Sequence, residues 1–230
     1  MANLTQLKML EDLHGFLLVD KPEGISFSTV VKTVKRKFNL VKVGHGGSLD
    51  TMASGLMVLL LNDANKFVDR VMGADRAYTG TFKFGETTDT GDKYGRPVPV
   101  PSRVMPLDQV KGDQFQVEPR FSAIRKDGAA DYAVVDTGDH SQFLAHVYRF
   151  ECGEEVKVEG QGQQRTFSLL ASKGLLPRAL AIDLGATLMT LRREKIGKFD
   201  VAEAVPFAKL LEAEMKDFAG FVMPLSRALA

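Results

Sequence analysis

The sequence predicts an α+β protein, and three observations carry that expectation. Short apolar or alternating segments at residues 15–20, 56–61, 76–84 and 166–171 read as strands. Apolar residues at helical spacing read as amphipathic helices, the clearest being Phe27, Val30, Val31, Val34 and Phe38. Glycine-bearing turns separate the two kinds of element, and residues 160–164 read as a hairpin turn between short strands. At 230 residues the chain can bury an ample core, and we expect a single domain over 1–230.

Composition bounds the function. The formal net charge is +1, so no global basic field announces nucleic acid, and any polyanion must meet local clusters. The single cysteine, Cys152, excludes an internal disulfide framework and fits a reducing compartment. Residues 1–11 are polar and lack the apolar core of a signal peptide. No apolar run approaches the roughly 20 residues of a membrane span. The expectation is a cytoplasmic, soluble protein with no membrane contact.

In chain order, the first strand (15–20) ends at Lys21-Pro22-Glu23-Gly24, a turn by its Pro and Gly. Ser26 then caps the first helix, whose other face carries Lys32, Lys35, Arg36 and Lys37, either a solvated surface or a phosphate contact. After strand 56–61, Asn62 or Asp63 is expected to cap a second helix with Ala64, Phe67, Val68 and Val71 inward. In strand 76–84, Tyr78 is either a half-buried strand tyrosine or an active-site aromatic. Residues 85–95 form an acidic turn that lacks the ligand set of a calcium loop, and no cluster has zinc spacing, so no metal is expected. Residues 97–106 read as loop, 118–128 as a basic, aromatic-bearing segment, and 128–142 as an excursion from the core. Residues 143–150 read as a strand. Pro177 starts a helix with Leu180, Ile182, Leu184 and Leu188 in or near its apolar set, which puts Arg178 in the first turn, where a cation is disfavoured and calls for a carboxylate partner. Residues 188–199 are a basic strand, and Asp200 with Glu203 forms a capping box for a last amphipathic helix.

The stretch most suited to chemistry is Gly44-His45-Gly46-Gly47-Ser48-Leu49-Asp50-Thr51-Met52-Ala53-Ser54-Gly55. Its glycines allow tight turns and close approach of a ligand, and Asp50 stands in the middle, just before a buried strand. By itself Asp50 reads first as a solvated turn aspartate, the commoner role of aspartate in a glycine turn.

These motifs, taken in order, resemble the TruB family of tRNA pseudouridine synthases. Residues 15–26 (GFLLVDKPEGIS) are similar to that family's N-terminal motif, and 44–55 to its catalytic motif, usually GHTGxLDPxAxG. Arg76-Ala77-Tyr78 resembles its Lys-Arg-Tyr strand, and Thr88-Asp89-Thr90-Gly91-Asp92 its TDTxD turn. Residues 119–125 (PRFSAIR), Ser172-Lys173-Gly174 with Arg178, Asp183-Leu184-Gly185 and Leu191-Arg192-Arg193 complete the series to Phe199. The chain departs from the pattern at Gly46, Ser48, Thr51, Leu175 and Leu176, and residues 128–142 carry Asp131, Asp136 and Asp139 with no Lys or Arg.

The resemblance implies the pseudouridine synthase fold, a mixed, largely antiparallel sheet flanked by helices, with an insertion near 129–142 and no C-terminal RNA-binding domain. It implies isomerisation of uridine to pseudouridine in the T loop of tRNA, at uridine 55, without cofactor or metal, by a protein that is expected to be monomeric. Asp50 is the implied acid, acting on the ribose by attack or by proton abstraction. Tyr78 is implied to stack on the flipped uracil, Arg178 to pair with Asp50, and His45 to help evict the base, although alone His45 reads equally as structural. His45, Gly46, Lys21, Arg125, Lys173 and Leu176 are the implied substrate-binding set. A non-catalytic RNA-binding protein and a synthase for another RNA are the rival readings.

Overall fold

In the computed structural model, residues 13–117, 142–157 and 163–229 are described. Their regular elements in chain order are β1 (Gly15–Lys21), α1 (Phe27–Lys37), β2 (Val43–His45), β3 (Ser54–Leu61), α2 (Val68–Met72), β4 (Arg76–Phe84), β5 (Thr87–Thr88), β6 (Pro97–Val98), β7 (Gly112–Val117), β8 (Gln142–Lys157), β9 (Gln163–Ala171), α3 (Pro177–Asp183), β10 (Ala186–Ile196), β11 (Phe199–Asp200), β12 (Val205–Pro206), α4 (Phe207–Glu212), β13 (Val222–Pro224) and α5 (Leu225–Leu229). By internal packing the chain divides into two units, one of residues 1–74 with 193–230 and the other of 75–192.

The first unit is built on β1 and β3, which pair antiparallel from Gly15↔Leu61 to Lys21↔Gly55. β12 adds in parallel to β1, and β13 and β2 add antiparallel to β1 and β3. Both central strands are buried on both faces, which is why they read as apolar runs without alternation. Phe16, Leu18, Leu56, Val58 and Leu60 share one cluster with Ala64, Val71, Ile196 and Phe199. Helix α1 forms as its stripe demands: Val30 and Val34 are buried, and Ser26 caps it by accepting from the Thr29 N–H at 3.1 Å. Phe38, at its end, stacks on Phe218 at 4.0 Å.

The second unit is an antiparallel sheet in the order β4-β9-β8-β7. Its apolar side centres on Phe167, stacked on Phe82 at 4.1 Å, with Tyr78 and Leu169 paired across β4 and β9. β5 and β6 form a separate antiparallel ribbon.

Several elements differ from expectation. The helix after β3 opens as a 3₁₀ segment, Asn62–Phe67, without a side-chain cap. Asn62 sits at φ 49°, outside the extended region an N-cap needs, and the Asp63 carboxylate instead pairs with Lys66 at 3.1 Å. Residues 97–106, expected as loop, include β6. β7 was not expected at all. β8 is longer than 143–150, because bulges at Val147/Arg149 and Cys152/Glu155 reset its alternation. Leu188 lies on β10 and not in the helix set, since Gly185 at φ 62° ends α3. Asp200 caps a single 3₁₀ turn, Val201–Glu203, with its carboxylate accepting from the Ala202 N–H at 2.9 Å. The box does not close on a long helix: Glu203 accepts from Arg227 at 2.7 Å, and Pro206 holds Val205 extended before α4 begins. Arg125 and the expected insertion at 129–142 fall almost wholly outside the described residues, as does most of the 160–164 turn.

Candidate active site

The 44–55 stretch leaves β2 and returns along β3. The Gly46 N–H donates to Val58 O at 2.9 Å, which continues the β2 ladder to the edge of the turn. Gly46 is buried, and a Cβ there would collide with the Val71 side chain. That is a reason for glycine where the family pattern has threonine. His45 lies edge-on to the Phe27 ring, 4.6 Å between centroids, and its Nδ1 accepts from the Gly47 N–H at 3.3 Å. In the neutral ring the proton is then on Nε2.

Asp50 is half-buried at the centre of the turn, whose backbone is tied at several points. Asp50 O accepts from the Ala53 N–H at 3.1 Å, and Thr51 O accepts from the Gly24 N–H at 2.8 Å. Lys21 ends β1 with no exposed surface. Its ammonium donates to Pro22 O at 2.9 Å, to Ile25 O at 2.8 Å and to Thr51 O at 3.4 Å. Burial lowers the Lys21 pKa from 10.5 to about 8, opposed by the charges of Asp50 and Glu23 and assisted by Arg193. Lys21 therefore holds the backbone around the acid and lends positive charge to it.

Arg193 has 1% of its surface exposed. Its Nε donates to Leu56 O at 2.8 Å, and its terminal nitrogens donate to Ser48 O at 2.7 Å and Gly47 O at 3.2 Å. Among the motif residues it had no assigned role. The signal for it was a charged residue at an inward position of a strand, two places from buried Leu191.

In the second unit, Tyr78 is on β4 with 6% exposure. Arg178 is the second residue of α3, 7% exposed, and one guanidinium nitrogen donates to Thr90 O at 2.9 Å. The TDTxD turn packs on this helix start: Gly91 has φ 75°, and a Cβ there would strike the Arg178 carbonyl. Asp92 is buried and organises that turn, accepting from the Thr90 hydroxyl and the Tyr94 N–H, each at 2.9 Å. Leu176 is half-buried before α3. Both its main-chain groups bond the Gln116 side chain, the N–H donating at 2.8 Å and the carbonyl accepting at 3.2 Å. Gln116, on β7 and 1% exposed, supplies the anchor that no side chain of Leu176 can. Lys173 is exposed. Among the described residues, no group of three or more His, Cys, Asp or Glu is arranged to hold a metal, and no helix is long and apolar enough to cross a membrane.

The profile of the TruB family pseudouridylate synthase (N terminal domain) matches residues 35–175, more than half of the chain. The chain is 34% identical over 226 residues to the tRNA pseudouridine synthase B of Aromatoleum aromaticum, with 93% of this chain and 73% of that protein covered. It is 31% identical to the tRNA pseudouridine synthase B of Opitutus terrae, over 95% of both. In structure it is similar to the chain solved in the archaeal box H/ACA sRNP Nop10-Cbf5 complex, with TM-score 0.63, 21% identity, and 96% of this chain and 63% of that chain covered. A Cbf5-Nop10-Gar1 complex gives TM-score 0.63 at 23% identity. The chain thus spans less than two thirds of the length of those solved chains. The chain belongs to the TruB family of pseudouridylate synthases, and its fold is the α+β pseudouridine synthase fold.

Proposed function

We propose that this protein isomerises uridine to pseudouridine in the T loop of tRNA, at uridine 55. The observation that carries the reading is Asp50, the one carboxylate of the 44–55 turn, held on a backbone fixed by Lys21 and set in a chain of this family. A solvated turn aspartate needs no buried cation beneath it. The relatives named tRNA pseudouridine synthase B support tRNA as the substrate.

In this reaction the N1–C1′ bond breaks, the uracil turns, and a C5–C1′ bond forms. The C5 proton is lost and N1 gains one, so the change is a net isomerisation that needs no redox partner. The target uridine must first leave its stack, which makes an aromatic platform and close backbone approach useful. We assign Asp50 to the ribose side of the reaction, as nucleophile or base, and Tyr78 to the flipped uracil. His45 is assigned to eviction of the base, and Arg178 to support of turnover. Lys173, Leu176, Gly46 and Arg125 are assigned to the RNA. We take the protein to act as a cytoplasmic monomer.

The test is incubation with an unmodified tRNA transcript, followed by chemical mapping of pseudouridine. One T-loop product is expected, abolished by Asp50→Asn while tRNA binding stays nearly intact. Wild-type turnover in Asp50→Asn refutes the assignment of the acid. Product at another position keeps the chemistry and replaces the substrate.

A further inference from the structure

We propose that Arg193 is a positioning residue for Asp50, a buried fork that ties the Gly47–Ser48 part of the 44–55 turn to the start of β3; this rests on the reading of Asp50 as the reacting acid. Arg193 has almost no surface and cannot meet the RNA itself. A guanidinium is charged at every working pH and presents its donors in a rigid plane. Here the plane spans the turn: two nitrogens hold Gly47 O and Ser48 O just before the acid, and the third holds Leu56 O just after it. Lys21 holds Thr51 O from the other side. The pinned carbonyls of Ser48 and Thr51 thus bracket Asp50 within one four-residue stretch of chain. Gly55 makes the fork possible. It has φ 103°, and a Cβ there would land on the backbone of Arg193, so only glycine lets β10 come this close.

Removing the guanidinium leaves the carbonyls of Gly47, Ser48 and Leu56 without its donors, so Arg193 contributes to stability as well as to position, and only a comparison of rate with stability separates the two. The β10 position is inward, where an aliphatic residue would serve the core. What the aliphatic residue cannot do is hold two carbonyls of the turn and one of β3 in a fixed geometry. A carboxylate displaced by about 1 Å can lose a factor of about 10² in rate, so the fork has a direct consequence for turnover.

The experiment compares Arg193→Met, Arg193→Lys and Phe218→Leu with the wild-type chain. Phe218 is fully buried in the same unit and stacked on Phe38, so its truncation serves as a stability control. For Arg193→Met we expect the single-turnover rate at saturating tRNA to fall about 10²-fold, with tRNA affinity changed less than about threefold, the pattern of a lost transition-state contribution. Arg193→Lys should recover part of the rate, because an ammonium reaches fewer of the carbonyls. Phe218→Leu should lower Tm while leaving the rate within about twofold, since removing a buried ring costs stability only. Hydrogen exchange of the amides of residues 48–55 should accelerate in both Arg193 variants, with other segments unchanged. If Arg193→Met does not fold, Arg193→Lys carries both readouts. Wild-type rate in the Arg193 variants, or an equal slowing by Phe218→Leu, overturns the proposal. If the wild-type chain itself makes no pseudouridine, the function proposed above fails, while the exchange measurement still decides whether Arg193 holds the turn.

Discussion

Replacing Lys21 by Met separates stability from turnover. The substitution removes an ammonium that donates to Pro22 O at 2.9 Å, Ile25 O at 2.8 Å and Thr51 O at 3.4 Å. Hydrogen bonds from a charged donor contribute about 1.5–3 kcal/mol each, so the two short ones are worth roughly 3–6 kcal/mol. Against this stands the cost of keeping the charge buried. The fall in pKa from 10.5 to about 8 corresponds to ~3 kcal/mol. The net loss at pH 7 is then roughly 0–3 kcal/mol, a fall in Tm of up to several degrees for a chain of this size. Turnover should fall further, by at least about tenfold, because Thr51 O is released one residue from Asp50. The pH dependence carries the sign. Above about 8 the folded protein has released the Lys21 proton, while the unfolded chain keeps it up to 10.5. The unfolded state then binds more protons, so this group's contribution to stability rises with pH across that window. The wild-type advantage over Lys21→Met should therefore widen between pH 8 and pH 10, as read by denaturant unfolding. A difference that stays constant over that range refutes the account of the buried ammonium. Undiminished turnover in Lys21→Met refutes its role in holding the turn.

Two further outcomes are expected. Arg178→Ala should reduce turnover more than tRNA binding, measured by single-turnover kinetics and filter binding; an equal loss in both would make Arg178 a phosphate contact. Asp183→Asn should raise stability by about 1 kcal/mol at pH 7.5 and not at pH 4, because the half-buried carboxyl, pushed up to about 6 by desolvation and with no partner for Oδ2 among the described residues, costs stability only where it is ionised. A thermal melt at the two pH values checks it, and equal shifts at both would refute it.

The parts of the fold legible in the sequence are those in which burial follows a simple period. β1 and β3 are enclosed on both faces, and α1 has one stripe and a serine cap, so each is readable from its own residues. β7 inverts the usual pattern. Its inward side chains are Gln114 and Gln116, while Phe115 is 71% exposed. An alternation of hydrophobicity therefore points the wrong way, since Gln116 is buried to bond the main chain of Leu176 and not to fill a core. β8 escapes for a different reason: two bulges each shift its period.

The same distinction divides the site. Asp50 was legible because a carboxylate among glycines has a chemistry of its own, and the ordered motifs placed it in a family. Arg193 was not, because the groups through which it grips the turn and β3 are carbonyls, which every residue carries and no sequence pattern marks. A bond to a main-chain carbonyl leaves no mark on the identity of the residue that accepts it. What remained visible was the cost, a charge placed where a strand should bury an apolar residue. Such a misplaced charge beside a glycine turn is a usable signal. Lys21 shows it too, as the last residue of a strand whose apolar run Phe16–Val19 precedes it by one aspartate, with no exposed surface and a bond to the same turn. Two buried cations on separate strands, each donating to carbonyls of the turn that carries Asp50, constrain that loop and with it the acid it holds.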